Sequence, residues 1–192
     1  MSRAVQAAAG SRRAALAFLQ RHGAHNVPHL FGDLLSHLVG VEDLVRAWGG
    51  DEVLALAALG HASYGTDGFE PHLVELDERG QLRDAIGADA EALVYFYASC
   101  DRAWFYPQLT DGTLRAEDLR FVDRFRGSER TPTPDEVRDF LDLTLANETE
   151  LALTSPSGPL GWSWLADFCR DTRRWASPGV AAGAARLLEG EG

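Results

Sequence analysis

The chain has 192 residues, 45% of them hydrophobic and 24% charged, a composition that predicts one ordinary globular domain, 1–192, with a sizeable core. Its 29 acidic residues outnumber 18 basic ones, giving a formal net charge of −11. Such a field repels phosphate backbones, so nucleic acid is not an expected partner.

Every basic residue is Arg, and the absence of Lys excludes Schiff-base chemistry on a lysine. With abundant Ala, Gly and Leu, this points to GC-rich codon usage of bacterial type. No apolar run is long enough to span a membrane. Arg12 and Arg13 interrupt any signal-like stretch near the N-terminus. Cys100 and Cys169 sit in apolar surroundings and read as buried free thiols of a reducing cytosol. A cytoplasmic protein is expected.

In chain order, Ala14, Ala15, Phe18 and Leu19 predict a helix over about 11–22, ending near Gly23. His25–His29 is a turn whose Pro28 sets up a second helix, about 30–48. That helix carries a stripe of Leu34, Leu38, Val41, Leu44, Val45 and Trp48 and stops at Gly49-Gly50. A third helix, about 51–62, opens on acidic residues, as the positive end of a helix prefers. Its body is apolar all round, which places it at the centre of the domain. Tyr64–Phe69 is a turn-rich loop. A short helix (81–86) and a longer one (about 88–101) follow, the latter with Leu93, Val94, Phe96 and Tyr97 inward.

Residues 105–133 lack a clean helical period and read as an excursion or a small hairpin. Helix resumes over about 134–151 behind Pro134, Asp135 and Glu136. Two last helices, about 161–175 and 178–190, close the chain. The expected fold class is all-α: a single domain of about seven helices with one irregular or hairpin insert.

Three polar residues interrupt the apolar stripes. His37 shares a face with Leu34 and Val41, His61 with Leu54, Ala57 and Ala58, and Asp101 follows Tyr97 by four residues. All three are therefore expected to point inward. Burying an unpaired carboxylate costs on the order of several kcal/mol, so Asp101 needs a cation, a donor or a proton. A divalent metal held by His37, His61 and Asp101 would satisfy the three together, in the two-His, one-carboxylate manner of non-haem iron sites and related hydrolytic centres. The competing reading is a hydrogen-bonded core histidine at each position, with Asp101 paired to an Arg on a neighbouring helix.

Other residues fall into supporting roles. Tyr64 and Thr66, just after His61, can wall a substrate site, or simply belong to a turn that reverses the chain. Asn147 and Glu148 in the late helix can orient a ligating His or face a pocket, or lie on a solvated face. Arg102 can neutralise an anionic substrate group or pair with a nearby acid. Trp104, Phe105, Tyr106, Trp162, Trp164 and Trp175 suit a core, or contacts of a homodimer or larger assembly. No Ser-His-Asp spacing, CxxC pair or Walker-type loop is present.

The spacing of His37, His61 and Asp101, with the segments LLSHLVGVEDLVRAWGG and HASYGTDGF and the later Asp-Arg pair, resembles the metal-dependent HD-domain superfamily. Within it, the chain looks most like a bacterial HD-like family without an assigned function, over about residues 29–150. The resemblance implies an HD-like helical domain in which His37, His61 and Asp101 fall on the ligand positions. Ala62 stands where the superfamily has its pairing Asp, and only His72 is available for the additional bridging His pair. One ion rather than two is implied, with His29 as a fourth ligand or a group behind the ligands. Fe, Mn and Zn are not distinguished.

Two function classes are therefore expected. One is a metal-dependent enzyme acting on a small molecule, either a phosphoester-type hydrolase or a non-haem iron oxygenase. The other is a catalytically silent HD-like small-molecule-binding or regulatory protein, favoured by Ala62.

Overall fold

The computed structural model describes residues 3–188, and residues 189–190 of the expected last helix lie outside that range. The described residues contain nine α-helices, four short 3-10 turns and two small antiparallel strand pairs. The helices are α1 (Arg3–Arg21), α2 (Leu34–Ala47), α3 (Glu52–Gly60), α4 (Arg79–Ile86), α5 (Ala88–Ser99), α6 (Arg102–Thr110), α7 (Pro134–Thr154), α8 (Ser163–Thr172) and α9 (Pro178–Leu188). None of them is long and apolar enough to cross a membrane.

Most elements start and stop for local reasons. Asp33 accepts from the Ser36 amide and caps α2, and Asp51 accepts from the Leu54 amide to cap α3. Gly49, with φ of 84°, ends the α2 turn in the left-handed region. Thr133 and Glu136 form a capping box ahead of α7, with Pro134 in its first turn.

Three expectations need correction. Residues 30–33 are not helix: strands β1 (Pro28–His29) and β2 (Gly32–Asp33) pair as a tight hairpin, and α2 starts only after its Asp33 cap. The stretch 105–133 is partly helical, because α6 accommodates Pro107 within its nine residues. The rest of that stretch holds the antiparallel hairpin β3 (Phe121–Asp123) and β4 (Ser128–Arg130). Finally, α5 stops at Ser99, and Cys100 takes an extended conformation with ψ of 126°. Asp101 therefore leaves the helical phase that would have turned it inward with Tyr97.

Two helices form the centre. In α3 every residue from Leu54 to Gly60 is buried, as its uniform hydrophobicity implies. In α7 the run Phe140–Ala152 is buried throughout, although it contains Asp142, Thr144, Asn147, Glu148, Thr149 and Glu150. Helix α2 lies against both. Phe96, Phe105, Phe121 and Phe140 stack edge-to-face or offset and join α5, α6 and β3 to α7.

Two buried carboxylates elsewhere are paired with arginines. Glu42 on α2 takes a two-pronged contact from Arg12 on α1 (2.7 and 2.8 Å) and a further one from Arg46. Glu91 on α5 accepts from Arg79, Arg83 and the Tyr64 hydroxyl. Cys100 and Cys169 are both buried and form no disulfide among the described residues. Of the aromatic side chains expected in a core or an interface, Phe105 is core, whereas Trp104 and Trp164 are exposed.

Candidate functional site: a buried imidazole–amide–carboxylate centre

Helix α2 presents His37 to α7, and the end of α3 delivers His61 beside it. The two rings meet edge-to-face with centroids 5.3 Å apart. His29, from the hairpin, stacks on His37 at 4.1 Å, and Phe69 of the HASYGTDGF loop meets the edge of His29 at 4.9 Å. His37 and His61 are buried, while His29 is partly open and, with His37 and Glu150, borders a cavity of about 200 Å³.

The outer nitrogens are held. His61 donates from Nδ1 to the Ala58 carbonyl at 2.8 Å, which leaves Nε2 as the ring atom with a lone pair. Nδ1 of His37 lies 2.5 Å from Oε2 of Glu150. Nε2 of His37 lies 3.0 Å from Oδ1 of Asn147, whose amide nitrogen donates to Glu148 Oε1 at 3.1 Å. Glu148 in turn stands 4.0 Å from Nη1 of Arg102. A continuous polar seam therefore runs from Glu150 through His37, Asn147 and Glu148 to Arg102.

Burial sets the electrostatics. Desolvation, aided by His37, pushes the His61 pKa down to about 3, and the same two causes bring His29 down to about 4. Both rings are thus neutral at physiological pH. Burial raises Glu148 above the usual carboxylate range against the pull of Arg102 and Asn147.

The structure therefore brings together His29, His37, His61, Asn147, Glu148 and Arg102. Asp101 does not join them: its carboxylate accepts from the Trp104 amide at 3.0 Å and caps α6. Among the described residues, no three His, Cys, Asp or Glu side chains form a ready metal-ligand group. Tyr64 and Thr66 also lie apart. The Tyr64 hydroxyl is committed to Glu91 at 2.8 Å, and both residues border a separate depression of about 260 Å³ that includes His72.

Glu150 was missed by sequence reasoning. The available signal was the polar run Asn147–Glu150 set between the apolar pairs Leu145-Ala146 and Leu151-Ala152, with Glu150 one turn from Asn147. The two central phenols, Tyr97 and Tyr106, gave no polar signal, because aromatics at helical spacing read as core.

Residues 18–102 match the model of a family described as a domain of unknown function (DUF6817). The match contains His29, His37, His61 and Arg102 but ends before α7. No curated protein and no solved structure matches the chain.

Proposed function

We propose that this chain is a metal-dependent enzyme acting on a small molecule, a phosphoester-type hydrolase or a non-haem iron oxygenase, built on an HD-like helical arrangement. The observation that carries this reading is the approach of His37 and His61 with their far nitrogens tied to Glu150 and to the Ala58 carbonyl. A ligating His characteristically gives its other N–H to a carboxylate or a backbone carbonyl, which fixes ring orientation and basicity.

The donor chemistry fits one divalent ion. His61 and His29 are neutral, the form that ligates. Nε2 of His37 and Oδ1 of Asn147 face each other at 3.0 Å across the candidate position. The holding residues would be His37, His61 and Asn147, with His29 on the open side in place of the expected Asp101. Bound there, an ion would supply Lewis-acid polarisation and either a water of lowered pKa or positions for dioxygen activation.

The chain's own residues do the rest. Glu150 holds the His37 ring, and Asn147 is oriented by Glu148. Burial raises Glu148 above the usual carboxylate range beside Arg102, the direction that a general acid requires. The small cavity at His29 admits a small molecule rather than a polymer. A cytoplasmic setting and a homodimer remain part of this reading.

A second reading is a catalytically silent HD-like binding or regulatory protein. Ala62 and the use of Asp101 as a helix cap favour it, since among the described residues no aspartate joins the imidazoles. Elemental analysis of protein purified without chelator separates the two. About one Fe, Mn or Zn per chain, lost in His61→Asn while the fold is kept, is expected of the enzyme. Metal-free protein whose melting is unchanged by chelator overturns the enzyme and leaves the binder.

A further inference from the structure

Beyond the imidazoles, α5 and α6 enclose a second polar group. Nε of Arg102 and the hydroxyls of Tyr97 and Tyr106 are buried without a hydrogen-bond partner among the described residues. The Arg102 guanidinium sits 4.9 Å from the centroid of the Tyr97 ring, and the same ring meets His61 edge-to-face at 5.5 Å. Arg102 is the leading charged neighbour of both phenols.

Each of these three atoms can donate. Burial pushes the Tyr97 phenol up to about 12 and holds Tyr106 well above its ordinary value, so both keep their protons. The surrounding acceptors answer them only in part. Glu148 reaches only Nη1 of Arg102, at 4.0 Å, and burial works against its ionisation. The Thr144 hydroxyl, which gives its own proton to the Phe140 carbonyl, keeps lone pairs turned toward Tyr97, so Nε of Arg102 and the Tyr106 hydroxyl are the donors left most clearly unmet. A desolvated guanidinium with so weak a counter-charge is costly in isolation. Buried donors left unmet call for an acceptor of their own. Arg102 and Glu148 keep 17% and 12% of their side chains exposed, so this group reaches solvent at one edge.

We infer that Arg102, Tyr97 and Tyr106 form an oxyanion-binding subsite that takes the carboxylate or phosphate group of the ligand acted on at the adjacent His61. The inference deepens the proposed function by naming an anionic substrate class, and it rests on that reading for the chemistry but not for the binding. Arg with two neutral hydroxyl donors suits a planar carboxylate or a phosphate, and the neighbouring Tyr97–His61 contact places the anion beside the imidazoles.

The test is calorimetric titration of the chelator-treated full chain with inorganic phosphate and, separately, with acetate. Saturable binding of at least one anion is expected, and the stronger response identifies the group. Tyr106→Phe and Tyr97→Phe, which each remove one oxygen, are expected to weaken it about tenfold, and Arg102→Gln to abolish it in folded protein. No saturable binding of either anion by the wild type overturns the inference. So does unchanged affinity in both Phe variants, which would mean that ordered water satisfies these donors. Because no metal is present in this titration, metal content scores the proposed enzyme independently of the subsite.

Discussion

Gly40 on α2 faces Glu150 on α7 so closely that a Cβ there would lie 2.9 Å from Cγ and 3.0 Å from Oε1 of Glu150. The missing side chain lets the carboxylate lie flat against α2 and reach Nδ1 of His37. Glycine inside a helix costs about 1 kcal/mol relative to Ala, so its use here needs a compensating reason, and the Glu150–His37 contact supplies one.

Gly40→Ala is therefore expected to separate stability from site geometry. The gain in helix propensity offsets the shift of Glu150, leaving the urea midpoint nearly unchanged. The imidazole ¹⁵N signals of His37 should nonetheless move, and metal affinity should fall about 10- to 100-fold, as when a carboxylate behind a ligating His is lost. Unaltered His37 signals would show that Glu150 adapts without releasing the ring.

His61 makes stability depend on pH with a definite sign. Its folded pKa, about 3, lies below the ordinary value of 6.5, so the unfolded chain binds more protons between these values. Stability from this group is fully present above pH 6.5 and is lost as pH falls toward 3. Between pH 7 and 5 the loss is about 2 kcal/mol, and His61→Asn, which can still donate to the Ala58 carbonyl, should flatten that part of the profile. Urea denaturation of both proteins at the two pH values checks this, and parallel profiles would contradict it.

Trp48, at the C-terminal end of α2, packs on Gly183 of α9, where an added Cβ would clash with the indole ring. The indole is a large, rigid group, so Gly183→Ala is expected to destabilise the protein by about 1–3 kcal/mol through overpacking. Thermal melting should show the loss. Trp48→Leu in the Gly183→Ala background should recover part of it, because the smaller side chain removes the obstruction.

Much of this architecture was readable locally. The apolar body of α3 placed it at the centre, and the acidic opening at Asp51 and the Pro134-Asp135-Glu136 run marked helix starts without reference to any distant residue. Pro107 hid α6, because proline inside a helix ordinarily argues against one. Asp101 was misjudged for a related reason. Extrapolating the α5 period one turn beyond Ser99 assigned it an inward face that the extended Cys100 takes away.

The amino-acid order by itself determined where apolar periods lie, which residues cap them, and that two histidines interrupt buried faces, since these follow from spacing over one or two turns. Only the tertiary structure decided their company. His37 meets Asn147 and Glu150 across 110 and 113 residues, and Arg102 faces Glu148 rather than solvent. Such partnerships depend on how α7 is rotated against α2 and α6. That rotation is set by packing of the whole core, not by any segment alone.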